Sequence, residues 1–132
     1  MRTYSIEDYP ENVERYFDFL ITDFGFKLTE KRERKFGYLV VFEKDDRKVV
    51  LNFDYMDNYY YFSIVRGKET VYSDEETENI ITFYDLAKKK NAEINLQELQ
   101  PDDKQYLKAL KNNTEILQQF GGQVLKGKEW MR

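Results

Sequence analysis

Residues 37–66, GYLVVFEKDDRKVVLNFDYMDNYYYFSIVR, decide the fold because apolar and polar side chains alternate through three short segments. An alternation with a period of two is typical of β-strands. The segments are separated by Asp45-Asp46 and Asp57-Asn58, and both pairs favour tight turns. The stretch therefore predicts an antiparallel meander of three strands, at residues 37–44, 48–55 and 59–66.

The two turns also predict which residues face each other across the strands. Tyr38 is expected opposite Phe53 in the first hairpin, and Phe53 opposite Phe62 in the second. One face then carries mostly large apolar side chains, and we predict that it is the core: Tyr38, Val40, Phe42, Val49, Leu51, Phe53, Tyr55, Tyr60, Phe62 and Ile64. The second face is amphipathic, and C-terminal helices are expected to cover part of it: Leu39, Val41, Val50, Asn52, Asp54, Tyr59, Tyr61, Ser63 and Val65.

The flanking sequence predicts helices on both sides of the meander. Apolar residues recur every three or four positions from about residue 10 to residue 24, and Gly25 follows as a natural helix end. Residues 26–34 are dense in charge and suit an edge strand. Two C-terminal helices are expected. One is capped at Ser73 or Asp74 and ends in three lysines. The other begins at Pro101, and Gly121-Gly122 either breaks it or lets it pack closely on another backbone; we favour one helix that continues to near Gly127, because the apolar pattern continues past the glycines.

The fold class that follows is α+β. It consists of an N-terminal helix, an antiparallel meander of three to four strands, and C-terminal helices packed on the sheet. A chain of 132 residues fits a single domain, spanning residues 1–132.

The composition limits the chemistry that the protein can perform. The chain contains no Cys and no His, which excludes disulfides, thiolate nucleophiles, imidazole bases and the usual zinc ligand sets. Its formal net charge of −4 argues against nucleic-acid binding through phosphate neutralisation and permits a basic protein partner. No apolar run approaches the roughly 20 residues of a spanning helix. We therefore expect a cytoplasmic protein without a cofactor, a nucleic-acid partner or membrane contact.

A carboxylate or metal site is the enzymatic alternative. Asp54 and Asp57 lie near one hairpin end and Asp45-Asp46 at the other, but a hard cation needs several more converging oxygens. A nuclease site built on Asp54 fails on spacing, and PDDK at 101–104 has the context of a helix N-terminus. A small carboxylate- or metal-dependent enzyme acting on nucleic acid or a nucleotide stays an alternative, with no catalytic residue or metal ligand assigned.

The hypothesis that these residues favour is protein binding. On the second face Tyr59 and Tyr61 are expected beside Asn52 and Asp54, with Glu75 in the acidic segment that borders them. Aromatic anchors surrounded by carboxylates are typical of surfaces that bind a basic protein. These five residues are the predicted partner-binding site of a non-enzymatic module. A homodimer that uses the same tyrosine face is a further alternative.

Two segments, YFDFLITDFGF (16–26) and EILQQFGGQVLKGKEW (115–130), carry a resemblance to known proteins. The chain resembles small bacterial immunity-type proteins encoded beside secreted polymorphic toxins. In these an N-terminal helix closing in Phe-Gly-Phe precedes a short antiparallel sheet and a C-terminal helix with an aromatic-Gly pair. The residues expected to carry the shared fold are Leu20, Phe24, Gly25, Phe26, Phe120, Gly121, Leu125 and Gly127.

The chain departs from the resemblance at Gly121-Gly122, where a single glycine is expected. The resemblance implies an inhibitor that binds and neutralises a basic toxin domain without catalysis. It assigns no residue that contacts the toxin.

Overall fold

The chain forms a five-stranded antiparallel sheet with helices before and after it, and the computed structural model describes residues 9–54, 59–67, 78–89, 95–100 and 106–130. In their order across the sheet the strands are β1 (Lys27–Arg34), β2 (Gly37–Lys44), β3 (Arg47–Asp54), β4 (Tyr59–Arg66) and β5 (Ile80–Thr82). The helices are α1 (Tyr9–Tyr16), α2 (Phe19–Thr22), α3 (Phe83–Lys89), α4 (Tyr106–Phe120) and α5 (Gly122–Leu125), with a 3-10 helix at Leu96–Leu99. The predicted α+β architecture is confirmed. Among the helices described, none has the length and apolar character needed to cross a membrane.

The main core lies between the helices and the predicted core face of the sheet. Residues of all five α-helices belong to it, together with Val40, Phe42, Val49, Leu51, Phe53, Tyr60, Phe62 and Ile64 of the strands. A smaller cluster on the second face contains Leu39, Val41, Val50, Val65 and Ile80, and no described helical residue belongs to it. The described C-terminal helices therefore pack on the same face as α1, and for the described residues the expectation that they cover part of the second face was wrong.

The two hairpins differ in how well their pairing was predicted. The first has the predicted register, with Tyr38 opposite Phe53, whereas in the second Phe53 lies opposite Tyr60 instead of Phe62. The prediction assumed a two-residue turn, but β3 ends at Asp54 and β4 begins at Tyr59. A shift of two residues changes every partner and leaves every side chain on its face, because side chains alternate along a strand. The predicted faces are therefore correct although this pairing was wrong.

The N-terminal helix is divided in two. α1 ends before Phe17 and α2 begins at Phe19, so the prediction of one continuous helix was wrong. Phe17, Phe19 and Leu20 are all buried in the core. A straight helix would turn residues two apart toward nearly opposite sides, so the break between the helices is what lets both phenylalanines reach the core. The predicted helix end at Gly25 is confirmed by its φ of 76°, which residues with a Cβ rarely adopt.

The segment before α3 contains a strand that the sequence reasoning missed. Ile80–Thr82 pairs with residues 63–65 of β4, although it was predicted to be helical. Two isoleucines and a threonine favour a strand, and the charge pattern around them had suggested a helix. The helix starts at Phe83 instead, where the Thr82 hydroxyl accepts a hydrogen bond from the backbone N–H of Asp85 at 3.0 Å. The predicted caps, Ser73 and Asp74, lie outside the described residues.

The C-terminal helix is interrupted at Gly121, which separates α4 from α5. The prediction of one helix through both glycines was therefore wrong. A Cβ on Gly121 would lie only 2.7 Å from the carbonyl oxygen of Leu117, so the chain packs too closely here for any other residue. The apolar pattern continues across the break, since Leu117 and Val124 are both fully buried.

Polar residues inside α4 hold the 3-10 helix against it. The buried amide of Asn113 donates hydrogen bonds to the carbonyl oxygens of Leu99 and Ala109, both at 2.8 Å. Asn112 donates to the carbonyl oxygen of Glu98 at 2.8 Å. These bonds satisfy carbonyls at the end of the 3-10 helix and so position Gln100, which follows it.

Strand β1 forms a charged edge of the sheet, as predicted. Its Lys31 Nζ lies 2.6 Å from Oε1 of Glu14 on α1. The hydrogen bond that Lys31 donates to this carboxylate, together with the negative charge of the carboxylate, raises the pKa of Lys31 above its ordinary value. A pKa raised by folding means that the pair stabilises the fold at neutral pH, and that this contribution is lost only as the pH rises through the raised value.

Candidate functional site

Four of the five predicted site residues lie together on the second face of the sheet. Asn52 is directly opposite Tyr61, and Asp54 is directly opposite Tyr59, in the ladder between β3 and β4. All four side chains are partly exposed. We call these four residues the tyrosine surface. The fifth predicted residue, Glu75, lies outside the described residues.

The same alternation that builds the core also creates the tyrosine surface. Tyr60 and Phe62 point into the core, where their rings stack with centroids 4.5 Å apart. Tyr59 and Tyr61 must then point to the other face, where their ring centroids lie 4.7 Å apart with a tilt of 50°. The two rings support each other, so they present a broad aromatic area that loses little conformational entropy when a partner binds.

A pocket opens at the outer edge of β4, and Tyr59 and Tyr61 contribute to its lining. Because β5 pairs only with residues 63–65, no strand within the described part of the chain lies beside residues 59–62 on this side. The pocket has a volume of about 280 Å³, and most of its lining is aromatic, including Phe83 and Tyr84 at the start of α3. It is large enough and apolar enough to receive a side chain of a partner.

The amide of Gln100 takes the place of a neighbouring strand at this edge. Its Oε1 accepts a hydrogen bond from the backbone N–H of Tyr60 at 2.7 Å, and its Nε2 donates to the carbonyl oxygen of Tyr60 at 3.2 Å. Both backbone groups of Tyr60 are thus satisfied without a further strand. Gln100 therefore protects the edge from uncontrolled pairing and fixes one wall of the pocket.

On the other side of the tyrosine surface lies a groove that the sequence reasoning missed. It has a volume of about 360 Å³ and is lined by Lys35, Phe36, Gly37, Asn52, Phe53 and Asp54. Phe36 is 49% exposed, which is unusual for a large apolar side chain. We call this the Phe36 groove. An aromatic residue in the turn that follows the charged strand β1 was the available signal, and its place beside Asp54 follows from the pairing of Gly37 with Asp54.

The charges described around the tyrosine surface are mixed, whereas the sequence suggested an acidic rim. Asp54 belongs to the surface, but Lys35 lines the same groove. Arg32 lies on the same sheet face, opposite Leu39, and its Nη2 is 3.6 Å from Oε1 of Glu30. Of the acidic residues at 74–78 only the exposed Glu78 lies within the described part of the chain. The described charges around the tyrosine surface therefore include both signs.

The carboxylates considered for a metal site are separated by the length of β3. Asp46 precedes the strand and Asp54 ends it, which places them roughly 25 Å apart. Asp57 lies outside the described residues. Within the described ranges, no three acidic side chains come together in a way that could hold a metal ion. What the described groups support is stacking, hydrogen bonding and charge pairing at a surface.

Comparisons with known proteins give no relative for this arrangement. The chain matches no protein-family model, no curated protein and no solved structure.

Proposed function

We propose that this protein is a non-catalytic binding module that acts in the cytoplasm as an immunity-type inhibitor, binding and neutralising a bacterial toxin domain. The observation that carries the proposal is the tyrosine surface, in which cross-strand pairing brings two tyrosines, an asparagine and an aspartate together. The resemblance of residues 16–26 and 115–130 to immunity-type proteins supports a toxin as the partner.

The fold does not require tyrosine at positions 59 and 61. Elsewhere on the same face, residues such as Val50 and Val65 fill the pleated surface with smaller side chains and are almost fully buried. Tyr59 and Tyr61 instead keep part of their rings accessible. Tyrosine is enriched among the residues that dominate binding energy, because its ring buries a large area and its hydroxyl still finds a polar partner.

The surroundings of the tyrosine surface supply the other features of a binding interface. The pocket at the edge of β4 lies on one side and the Phe36 groove on the other, so both can receive side chains of one partner. Asp54 adds a charge that can orient an approaching cationic group. A concave, partly aromatic surface with few charges at its centre is typical of specific protein interfaces.

The proposal is tested by affinity capture from the lysate of the host. Three tagged proteins are compared: the wild type, a variant with Tyr61→Ala and Asp54→Lys, and a control with Leu107→Ala and Glu115→Lys. The control changes the same kinds of residue on the exposed side of α4. We expect the wild type and the control to retain one protein that the first variant loses by at least about tenfold. Equal melting temperatures of the three proteins would show that their folds are equally stable.

Neutralisation is tested with the captured protein itself. Its production alone in a test bacterium should arrest growth, and co-production of the wild type, but not of the tyrosine-surface variant, should restore it. Equal capture by all three proteins would place the interface elsewhere. If the captured protein does not arrest growth, this protein is a binding module without an inhibitory role. If the tagged protein retains only untagged copies of the same chain, the homodimer is favoured.

A further inference from the structure

The pocket at the edge of β4 has walls made mostly of aromatic rings. Side chains from both faces of β4 contribute to it, together with the start of α3. The six aromatic residues that line it are Tyr59, Tyr60, Tyr61, Phe62, Phe83 and Tyr84. Aromatic rings attract other rings in stacked and edge-to-face arrangements, and this attraction adds to the gain from burying apolar area. The walls therefore favour an aromatic occupant over an aliphatic one of similar size.

The lining of the pocket also limits the charge of its occupant. The described residues that line it include no Asp, Glu, Lys or Arg. Two of its polar side chains are already bonded within the chain: the amide of Gln100 to the backbone of Tyr60, and the hydroxyl of Thr82 to the backbone N–H of Asp85. Burying a charged group without a partner costs far more free energy than burying a neutral one. The described walls therefore favour a neutral side chain.

The size of the pocket distinguishes among the neutral aromatic side chains. Its volume is about 280 Å³. An apolar cavity of roughly 150 Å³ is large enough to bind benzene, which matches the ring of phenylalanine. The pocket therefore has room for the two fused rings of an indole, and a single ring would leave part of it unfilled. Unfilled space lowers the affinity, because the wall atoms that border it lose their dispersion contacts.

We propose that the pocket at the edge of β4 is the docking site for a tryptophan side chain presented by the protein partner. Tyr59 and Tyr61 belong both to the tyrosine surface and to the lining of the pocket, so one partner can contact both at once. Tryptophan is among the residues that most often dominate binding energy when they fill a pocket at an interface. This inference rests on the proposed function, because it names the side chain that anchors the partner bound by the tyrosine surface.

A titration followed by NMR tests the pocket without the partner. The probe is the peptide Ac-Gly-Trp-Gly-NH2, added to the ¹⁵N-labelled full chain. The backbone amides of residues 59–62 and 82–84 should shift together, with a Kd on the order of 1 mM for a single anchoring side chain. The same peptide with phenylalanine should bind about threefold more weakly, because it fills less of the pocket. With leucine it should bind about tenfold more weakly, and with lysine it should leave these amides unshifted.

Two matched pairs of variants assign the binding to the pocket. Tyr84→Ala removes one aromatic wall and should weaken binding of the tryptophan peptide about fivefold. Its control is Tyr16→Ala, because Tyr16 is also partly buried against the main core and also lies under a cationic side chain, but outside the lining. Leu96→Ala should weaken binding about twofold. Its control is Leu107→Ala, since the two leucines are 37% and 36% exposed and only Leu96 lines the pocket. Both controls should bind the peptide as the wild type does.

Three outcomes of the titration would overturn the inference. They are equal binding of the tryptophan and leucine peptides, shifts confined to amides outside the lining, or wild-type affinity of both Tyr84→Ala and Leu96→Ala for the tryptophan peptide.

The captured partner separates this inference from the proposed function. If the partner binds equally well after each of its tryptophans is replaced by alanine, the tryptophan inference fails and the proposed function stands. Loss of binding on one such replacement, matched by a similar loss in Tyr84→Ala, supports the inference. If the pocket selects the tryptophan peptide but no protein partner is captured, the proposed function fails, and the role of tryptophan as a partner's anchor fails with it.

Discussion

Adjacent tyrosines in β4 have opposite structural roles, and substitution separates them. Tyr60 is 2% exposed and packs on Phe53 and Phe62, with ring centroids 5.1 and 4.5 Å away. Tyr60→Ala should lower the free energy of unfolding by about 3–5 kcal/mol, because it removes a buried aromatic side chain. Tyr61→Ala removes a partly exposed ring and should cost about 1 kcal/mol or less. Urea unfolding of both variants measures the difference.

Tyr59→Ala serves as a second test at the same scale, because Tyr59 lies beside Tyr61 on the second face. It should resemble Tyr61→Ala in stability. A loss near that of Tyr60→Ala in either variant would make the substituted tyrosine a core residue, and the tyrosine surface would lose its basis as a binding site.

At the scale of single residues the sequence predicts faces better than contacts. The face of Tyr60 or Tyr61 depends only on odd or even position in the strand, so an error of two residues in the register leaves it unchanged. The pairing of Gly37 with Asp54 follows from the predicted register of β2 and β3, but the position of the Phe36 ring beside this pair depends on the conformation of the β1–β2 turn, which the sequence pattern does not give. The hydrogen bonds between Gln100 and Tyr60 join residues 40 apart in sequence, and no local sequence pattern predicts them.

Among the elements, the short 3-10 helix controls the free edge of β4 through Gln100. Gln100→Leu keeps a similar size but removes both hydrogen bonds to the backbone of Tyr60. Leaving these groups without partners should cost about 1–3 kcal/mol. It should also speed hydrogen exchange of the Tyr60 amide, because that N–H loses its acceptor. Urea unfolding and exchange measured by NMR give the two readouts.

The matched control is Gln97→Leu, on the same 3-10 helix, where the side chain is exposed. It should leave both the stability and the exchange of the Tyr60 amide near wild-type values. Unchanged exchange at Tyr60 in Gln100→Leu would mean that another group protects this edge, and Gln100 would then have no special part in shaping the pocket.

Elements with strong local signals were predictable, and those that depend on their neighbours were not. Strands β2 and β3 follow from alternation and a tight turn at Asp45-Asp46. Strand β5 has only three residues and exists as a strand through its pairing with β4. The break between α1 and α2 likewise follows from the need to bury both Phe17 and Phe19. Between α1 and α2 tertiary packing outweighed the local helix preference, whereas at β5 the surrounding charge pattern concealed a local preference for a strand.

Across the whole molecule, Trp130 connects the end of the chain to two strands. The guanidinium carbons of Arg47 and Arg66 lie 5.1 and 4.7 Å from the centroid of its ring, and its Nε1 donates to the carbonyl oxygen of Glu78 at 2.6 Å. The two arginines are directly opposite each other in β3 and β4, where like charges repel. The aromatic ring and Asp46, 2.7 Å from Arg47, offset this repulsion.

Trp130 is the single tryptophan of the chain, so its fluorescence reports how the C-terminal segment is held. If the segment belongs to the same cooperative unit as the sheet, urea transitions followed by fluorescence and by far-UV circular dichroism should coincide. Arg66→Gln should alter the emission and lower the free energy of unfolding by about 1 kcal/mol. Arg15→Gln is the control, because Arg15 lies over Tyr16 instead and its loss should leave the emission unchanged. A fluorescence transition at a clearly lower urea concentration than the circular dichroism transition would show that the C-terminal segment detaches before the sheet unfolds. The contacts between the arginines and Trp130 would then stabilise only the attachment of this segment and not the whole fold.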